Sequence, residues 1–446
     1  MTEPWSTGVV RSADGVVTVG GVDVRVLAET FGTPAYVLDE ADLRARARGY
    51  RRAFETAFAE IGAGVDVYYA GKAFLSVAVA RWVHDEGLRV DTATGGELAV
   101  ALRAGIPGAD IGLHGNNKSD SEIARALEAG VGRLIVDSLV EIDRVADAAS
   151  AAHPAPVMVR VTTGVHAGGH EYISTAHEDQ KFGLSIHAPD GDSPAMQGLL
   201  RVLARPELRL LGIHSHIGSQ ILDPSGFEVA ARAVLTLRAD LASRTGVLVD
   251  EVDLGGGYGI AYLPGEVSLD PDRIAKDIAT SVAASAHDLG TPLPRFSIEP
   301  GRAIVGPAGL TLYTVGTVKP VRIDDGTIRT YVSVDGGMSD NIRPALYGAR
   351  YHAEVVGRCS SQESVLARVV GKHCESGDIV VHDVQLPGDV RAGDLLAVAA
   401  TGAYGRSMAS NYNHVPRPPV VAVSDGSSRV LVRRETEDDL LALDQG

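Results

Sequence analysis

The stretch Val65-Asp66-Val67-Tyr68-Tyr69-Ala70-Gly71-Lys72-Ala73 decides the fold of this 446-residue chain. Its first six residues are mostly apolar and predict a short buried strand, and the amphipathic segment from Phe74 to Glu86 predicts a helix directly after it. The same pair of patterns recurs along the chain as far as Glu299. We therefore predict a fold built from repeated strand and helix units.

Eight strand-like segments make up this part of the chain, and helix-like segments lie between them. The strands are predicted at Val65 to Ala70, Leu88 to Thr92, Asp110 to His114, Arg133 to Asp137, Val157 to Val161, Leu210 to His216, Glu251 to Leu254 and Arg295 to Glu299. Short apolar strands with regular crossovers favour a closed (β/α)8 TIM-like barrel over an open doubly wound sheet. We predict the barrel.

The pattern changes after Arg302, where short β-branched runs alternate with Gly, Pro and Asp. This pattern predicts an all-β domain, with strands at Leu310 to Val321, Thr327 to Val334, Ser364 to Val370, Ile379 to His382 and Leu395 to Ala400. The β-like start from Val16 to Val26 is expected to join that domain. The predicted domains are thus N-terminal strands in residues 1–39, a barrel in 40–302, and a β-rich domain in 303–446.

Composition and charge narrow the class of protein. The 57 acidic and 41 basic side chains give a net charge of −16, which disfavours nucleic acid and anionic lipid as partners. Cys359 and Cys374 are too few for a disulfide framework, the N-terminus lacks the layout of a signal peptide, and no apolar run is long enough to cross a bilayer. We expect a soluble, cytoplasmic protein.

Polar side chains collect where the predicted barrel strands end, which is where barrel enzymes carry their chemistry. They are Lys72, Asp91, His114, Arg160, His214, His216, Asp253 and Glu299. Lys72 is expected to be buried at a strand end, which disfavours the ammonium and leaves an amine able to bond an aldehyde cofactor, namely pyridoxal phosphate. The alternatives are ordinary ones: a surface lysine, a helix cap at Asp91, and a salt-bridge partner at Arg160.

Two turns after late strands are compatible with a bound phosphate. One is Ile217-Gly218-Ser219-Gln220, whose amide and hydroxyl groups can donate to an anion. The other is Gly255-Gly256-Gly257-Tyr258-Gly259, where the backbone can approach an anion closely. A tight turn is an equally good explanation of the glycines alone, but two such turns together favour a phosphate group.

Further residues indicate how a cofactor ring and an anionic substrate are bound. Glu299 can keep a pyridine nitrogen protonated, which makes the ring a better acceptor of electrons. Arg302 and Arg343 can each bind a carboxylate through two hydrogen bonds, so the substrate is expected to have an anionic end. Cys374 lies beside Glu375 and offers a thiol that can take part in chemistry. The alternative is that Cys374 is simply a small hydrophobic residue buried in the core.

A metal-dependent hydrolase is the second class of function considered. His214 and His216 stand at i and i+2 on one strand face and could chelate zinc together. That explanation needs further ligands at other strand ends and gives Lys72 no role.

The motifs, taken together and in order, resemble those of the diaminopimelate decarboxylases, which are barrel-type (alanine-racemase-like) pyridoxal phosphate-dependent decarboxylases. The matching motifs are Tyr-Tyr-Ala-x-Lys-Ala, His-x-His-Ile-Gly-Ser-Gln, Gly-Gly-Gly-x-Gly, Glu-Pro-Gly-Arg, Arg-Pro-Ala-Leu-Tyr and Cys-Glu-Ser-Gly-Asp. The last two are the more selective. The resemblance implies decarboxylation of meso-2,6-diaminopimelate to L-lysine and carbon dioxide, the last step of lysine biosynthesis.

The resemblance also implies residue roles. Lys72 would hold pyridoxal 5'-phosphate covalently, and Cys374 would protonate the carbanion. The implied cofactor contacts are Asp91, His216, Ser219, Gly256, Gly257, Glu299, Gly301, Arg302 and Tyr404. The implied substrate contacts are Arg302, Arg343, Tyr347, Glu375 and Tyr404, with the cysteine loop supplied by the partner subunit of a homodimer.

Close relatives within the class are the main alternatives. Ornithine-type decarboxylases accept a cationic far end and would need a carboxylate where this chain has Arg343, so charge favours a dicarboxylic diamine. An arginine or carboxynorspermidine decarboxylase is the runner-up, and an inactive binding module conflicts with the presence of both Lys72 and Cys374. The His-rich loop from Val165 to Asp179 departs from the common pattern.

Overall fold

The computed structural model describes residues 1–164 and 181–446, and the His-rich loop from Val165 to Asp179 lies outside the described residues. The chain divides into two compact units. The first unit contains Met1–Arg46, Ile260–Ser268 and Arg302–Gly446, and the second contains Ala47–Gly259 and Leu269–Gly301. The short piece Ile260–Ser268 of the first unit was not expected from the sequence.

The N-terminal segment differs in detail from the prediction. Its elements are β1 (Val9–Arg11), β2 (Val17–Val19), β3 (Val22–Asp23), α1 (Val24–Phe31), β4 (Ala35–Asp39) and α2 (Glu40–Glu60). The β-like start was expected to reach Val26, but a helix begins at Val24 because the Asp23 carboxylate accepts the backbone N–H of Arg25 and caps it. Strands β1 to β3 form a small sheet of their own.

The second unit contains the predicted barrel. Its strands are β5 (Val65–Ala70), β6 (Arg89–Thr92), β7 (Ile111–Leu113), β8 (Arg133–Val136), β9 (Ala155–Thr162), β11 (Leu208–Ser215), β12 (Glu251–Asp253) and β13 (Arg295–Ile298), and the short β10 (Leu184–Ser185) pairs with β9. Among the described residues, the eight longer strands are parallel and close on themselves, because β8 pairs with β9 and β13 pairs with β5. The closed barrel is confirmed.

Helices follow the barrel strands and begin at polar caps. They are α3 (Val77–Asp85), α4 (Gly95–Arg103), α5 (Asp120–Glu128), α6 (Leu139–Ala148), α7 (Pro194–Leu203), α8 (Ser225–Thr245) and α9 (Pro271–Asp288). Ser76, Thr94, Ser119, Ser138 and Ser193 each accept a backbone N–H in the first turn of the helix that follows. Such caps supply partners for N–H groups that a helix start leaves unpaired, and so fix where each crossover helix begins.

The first unit is rich in strands, as predicted. After α10 (Arg302–Val305) come β14 (Gly309–Arg322), β15 (Ile328–Val334), α11 (Arg343–Tyr347), β16 (Ala353–Val355), β17 (Ser364–Val370), β18 (Ile379–Pro387), β19 (Leu395–Val398), β20 (Val420–Ser424), β21 (Ser427–Val432) and α12 (Glu437–Leu441). Strand β4 lies between β14 and β20, so an N-terminal strand does join this sheet. Valines of the small N-terminal sheet pack into the same core as Val37, Leu312 and Val421.

No helix within the described ranges is both long and apolar enough to span a lipid bilayer.

Candidate active site

A cavity of about 390 Å³ lies in the barrel unit, and residues from the carboxyl ends of the strands line it. The lining includes seven of the eight strand-end residues singled out from the sequence, all except Asp253, together with Ser219. The strand-end residues thus surround one space rather than separate surface sites. This is the position at which barrel enzymes bind their substrates.

Lys72 follows the end of β5 and lines the cavity, but its side chain is exposed. The expectation of a buried lysine was therefore wrong. Its neighbour Gly71 is buried and donates its backbone N–H to the Asp91 carbonyl oxygen at 2.9 Å, so the backbone is fixed against β6. The side chain instead extends from that fixed backbone into a cavity that solvent reaches, where its amine is accessible to a ligand.

Glu299 is the buried carboxylate of the cavity, 6% exposed. Its Oε1 lies 3.2 Å from His114 Nε2 and 3.1 Å from His214 Nε2. Burial alone would raise the pKa of Glu299, but the charges of the two imidazoles outweigh it and hold that pKa well below its usual value. Glu299 is therefore an ionised carboxylate at neutral pH.

A buried arginine, Arg133, lies next to the Glu299 carboxylate. The Arg133 guanidinium is 1% exposed and lies 2.7 Å from Asp253, 3.4 Å from Asp91 and 3.7 Å from Glu299. Ser297 Oγ accepts from Arg133 at 2.8 Å and donates to Asp253 at 2.6 Å. Breaking such a network leaves an uncompensated buried charge, so Asp253 is explained by pairing with Arg133 and not by contact with a ligand.

His114 lies next to Glu299 and Asp91. Burial opposes its charged form, but the two carboxylates outweigh burial and raise the pKa of His114 to about 9. The unfolded chain has an ordinary histidine with a pKa of about 6.5. Because the folded value is the higher one, the charged pair contributes stability that is fully present below about pH 6.5 and is lost as the pH rises through about 9.

The pH dependence of this stabilisation can be tested with the variant His114→Gln. The melting temperature of the wild type should exceed that of the variant by roughly 3 °C more at pH 6 than at pH 9.5, measured by scanning calorimetry. His287→Gln is the control, because the His287 side chain is 90% exposed, whereas that of His114 is 12% exposed. A melting difference that stays constant across this pH range would contradict the charged state of His114.

His216 has the opposite character. It is half-buried, and its Nδ1 accepts the backbone N–H of Gly256 at 3.1 Å. Burial, together with the positive charges of Lys72 and Arg160, lowers the pKa of His216 well below its usual value. The imidazole is therefore neutral, with Nδ1 fixed as an acceptor. A neutral ring held at one edge suits stacking on a flat ligand.

The structure separates the two histidines of the hydrolase alternative. His214, not His216, lies with His114 and Glu299, where one ligand atom from each falls within 4.8 Å of the others. A dication among these atoms would lie beside the Arg133 guanidinium, which is 3.7 Å from Glu299, and would be repelled by it. The three groups are better explained as a buried charge cluster.

The glycine turn after β12 is required by close packing. A Cβ on Gly256 would lie 2.2 Å from the Glu299 carbonyl oxygen, and one on Gly257, whose φ is +104°, would lie 2.4 Å from the Gly218 carbonyl oxygen. Only glycine fits both positions. The backbone N–H of Gly256 donates to His216 Nδ1, so this N–H is already used within the protein. The close approach of Gly257 to Gly218 brings this turn against the one that carries Ser219. Gly301 is also buried.

The first unit holds a cluster of arginines and tyrosines. The Tyr262 hydroxyl oxygen accepts from Arg302 at 2.8 Å and from Arg343 at 3.0 Å. The Arg302 and Arg343 guanidinium carbons lie 5.0 and 5.6 Å from the ring centre of Tyr404. Arg343 also donates to the Tyr351 hydroxyl. The structure thus brings together Arg302, Arg343 and Tyr404 of the predicted set.

Cys374 and Glu375 lie in the loop between β17 and β18, and both are exposed. Exposure excludes the alternative of a small buried hydrophobic residue for Cys374. The buried Asp378 anchors the loop by accepting the backbone N–H groups of Met338 at 2.6 Å and His373 at 2.8 Å. Tyr347, at the end of α11, is 65% exposed and does not join the arginine cluster.

Some residues near these sites were not singled out from the sequence. Glu97 lines the cavity and accepts the Ala93 N–H at 2.7 Å, but in the sequence it resembles an ordinary residue of a helix first turn. Arg160 was singled out as a strand-end residue, with a salt-bridge partner as the ordinary explanation. Its guanidinium lies 3.7 Å from the Asp137 carboxylate, and its guanidinium carbon lies 4.4 Å from the Phe182 ring centre in the cavity wall. Tyr262 gave no local signal, because only the fold brings it to the two arginines.

Comparison with known proteins identifies the family. A family model described as the pyridoxal binding domain of pyridoxal-dependent decarboxylases matches residues 41–306. A diaminopimelate decarboxylase of Mycobacterium tuberculosis is 52% identical over 99% of this chain and 97% of its own. The enzyme of that name from Bacillus subtilis is 43% identical over 97% of this chain and 96% of its own.

Solved structures agree with the sequence comparison. The crystal structure of a diaminopimelate decarboxylase from M. jannaschii, in complex with L-lysine, has a TM-score of 0.89 and 32% identity, and the match covers 99% of this chain and 98% of that one. Its fold is the barrel with a separate sheet domain described above. This chain therefore belongs to the diaminopimelate decarboxylase family of pyridoxal-dependent decarboxylases.

Proposed function

We propose that this chain decarboxylates meso-2,6-diaminopimelate to L-lysine and carbon dioxide with pyridoxal 5'-phosphate as cofactor. The observation that carries the proposal is the barrel cavity, in which the Lys72 amine, the neutral His216 ring and the ionised Glu299 line one space. Membership of the family supplies the reaction class. The paired arginines of the first unit support a substrate with a carboxylate at its far end.

The cavity residues suit pyridoxal phosphate in their chemistry. Lys72 offers an accessible amine that can bond an aldehyde. Glu299 offers a buried carboxylate that can accept a hydrogen bond from a protonated ring nitrogen. The adjoining turns with Ser219 and Gly257 approach each other closely and are proposed to hold the phosphate. When bound, this cofactor supplies a cationic ring that draws away the electron pair left on the substrate carbon as carbon dioxide leaves.

The protein groups around the ring keep the required protonation states. Glu299 stays ionised because the neighbouring imidazoles of His114 and His214 lower its pKa, so it can hold a proton on a ring nitrogen. Asp91 is proposed to help fix His114, whose Nε2 lies 3.3 Å from the Asp91 carboxylate. His216 is neutral and therefore does not repel a cationic ring placed against it.

The cluster of arginines and tyrosines is proposed to bind the far end of the substrate. Arg302 and Arg343 would donate hydrogen bonds to the distal carboxylate, because a guanidinium matches a carboxylate through two parallel hydrogen bonds. Tyr347 and Tyr404 would contribute to the same end, and the Glu375 carboxylate would pair with the distal ammonium. A cationic far end without a carboxylate, as in ornithine, would leave the two arginines uncompensated.

Cys374 is proposed to deliver a proton to the substrate carbon after carbon dioxide has left. Its exposure, together with that of Tyr347, is consistent with a homodimer in which this loop completes the partner's site, as the family resemblance implies. A thiol on an exposed but anchored loop can reach a neighbouring subunit, whereas a buried one cannot.

The shared-site proposal predicts complementation between two inactive variants. Lys72→Ala and Cys374→Ala should each have little activity alone. Mixing equal amounts under subunit exchange should restore about a quarter of wild-type activity, since about half of the dimers are then mixed and each of these holds one intact site of two. Activity is measured as carbon dioxide release. Cys359→Ala is the control, because its thiol is exposed and lies elsewhere in the β-rich domain. No recovery on confirmed subunit exchange would contradict shared sites.

The substrate is tested by assaying carbon dioxide release from diaminopimelate, ornithine and arginine at equal concentrations. We expect diaminopimelate to be preferred by at least about tenfold, on the basis of two charge-assisted interactions with its far carboxylate. A preference for ornithine or arginine would replace the proposed substrate while leaving the cofactor chemistry in place. A colourless protein that contains zinc would instead favour the hydrolase.

We also propose a cytoplasmic location, which the two free thiols support, because unpaired cysteines persist in a reducing compartment. Cell fractionation tests this, and activity that sediments with membranes would contradict it.

A further inference from the structure

Tyr262 is the residue through which the two arginines of the first unit are linked. It lies in the short segment Ile260–Ser268 and is 8% exposed. One atom, its hydroxyl oxygen, accepts an N–H from Arg302 at 2.8 Å and from Arg343 at 3.0 Å. One nitrogen of each guanidinium group therefore donates to the same oxygen atom.

Two guanidinium groups held this close repel each other unless something compensates. Tyr262 compensates in two ways. Its oxygen accepts from both, and its ring centre lies 5.9 Å from the Arg302 guanidinium carbon and 5.2 Å from that of Arg343, within the range of cation–π attraction. The Tyr404 ring lies at similar distances from both cations. Two aromatic rings therefore lie close to both guanidinium groups.

Tyr262 is itself held in place. The backbone N–H groups of Tyr262 and Leu263 donate to the Glu266 carboxylate at 2.8 and 3.0 Å, which fixes the turn. The ring of the buried Tyr351 meets the Tyr262 ring edge-on, with centres 5.2 Å apart and planes at 83°. A side chain fixed from its backbone and from its ring can set the geometry of the groups that bond to its oxygen.

We propose that Tyr262 is a positioning residue that sets the spacing of Arg302 and Arg343, and so confers specificity for a substrate that carries a carboxylate at its far end. The inference rests on the proposed function. Removing only the hydroxyl, in Tyr262→Phe, keeps the aromatic frame but takes away the shared acceptor. The two cations then lose the group that orients them together, and a far carboxylate no longer meets both.

A matched pair of ligands tests this. L-Lysine and cadaverine differ only in the carboxylate that lysine retains at the far end. We expect Tyr262→Phe to weaken binding of lysine to the holoenzyme by about tenfold, a typical effect of losing hydrogen bonds to charged groups, and to leave cadaverine binding within twofold, both measured by calorimetry. Tyr331→Phe is the control, since its ring also lies near an arginine, 5.9 Å from Arg368, in another part of the sheet.

A kinetic measurement separates positioning from a general structural effect. For Tyr262→Phe the KM for diaminopimelate should rise about tenfold while kcat stays within twofold, because the change affects binding of a remote group. Equal weakening of lysine and cadaverine, or no weakening of either, would overturn the role of Tyr262. If the wild type itself does not bind lysine more tightly than cadaverine and does not decarboxylate diaminopimelate, the proposed function fails first, and the inference with it.

Discussion

Replacing Lys72 by alanine is expected to lower kcat by about 10³-fold or more, the scale on which loss of an essential catalytic group acts. The amine at the end of β5 is the group that can bond the aldehyde of the cofactor, and no other lysine is among the residues that line the described cavity. The purified variant should also fail to retain cofactor absorbance after gel filtration. Activity is measured as carbon dioxide release from diaminopimelate.

Lys276→Ala is the matched control, because Lys276 is exposed on α9 and lies outside the cavity. It should have wild-type activity and absorbance. A Lys72→Ala protein that folds normally and retains more than a tenth of wild-type turnover would show that another group performs the covalent step.

Glu299→Gln is expected to have the second-largest effect, a fall in kcat of about 10²- to 10³-fold, as for the loss of one preorganised electrostatic group in other active sites. Glutamine keeps the size of the side chain but not its charge, so it cannot hold a proton on a ring nitrogen. The variant should still bind the cofactor, because Lys72 is unchanged. Stopped-flow absorbance and steady-state kinetics measure the two properties separately.

The control for Glu299 is Glu251→Gln, since Glu251 begins β12 and lies at the opposite end of the barrel strands. Its kcat should change by less than about twofold, as for a substitution away from the reacting groups. If Glu299→Gln and Glu251→Gln lowered kcat equally, or if Glu299→Gln lost the cofactor altogether, the proposed contact with the ring nitrogen would be wrong.

The barrel was predictable because its signal is repeated. Each β–α unit repeats an apolar run, and many of the helices begin at a Ser or Thr cap, so a missed boundary does not change the topology. Strand β4 was missed because its partners, β14 and β20, are distant in sequence. The β20–β21 hairpin did carry a local signal, the turn Asp425-Gly426 with positive φ at both residues, and could have been predicted from it.

The candidate site was predictable where backbone position alone determines it. Glu299 and His216 follow strand ends, and parallel strands of a closed barrel bring such ends together. The burial of Lys72 was predicted wrongly, because a strand-end position fixes the backbone but not the exposure of a long side chain. The roles of His114 and Tyr262 could not be predicted, since each depends on contacts between residues that are distant in sequence: His114 with Glu299, and Tyr262 with Arg302 and Arg343.

The central claim is that Lys72 bonds the cofactor covalently, and peptide mapping tests it most directly. Holoenzyme is reduced with borohydride, digested and sequenced by mass spectrometry. We expect a reduced pyridoxyl group on the peptide that contains Tyr69, Ala70, Gly71 and Lys72, with fragment ions that place it on Lys72. A label on any other lysine, or a fully loaded enzyme that carries no label after reduction, would contradict the account.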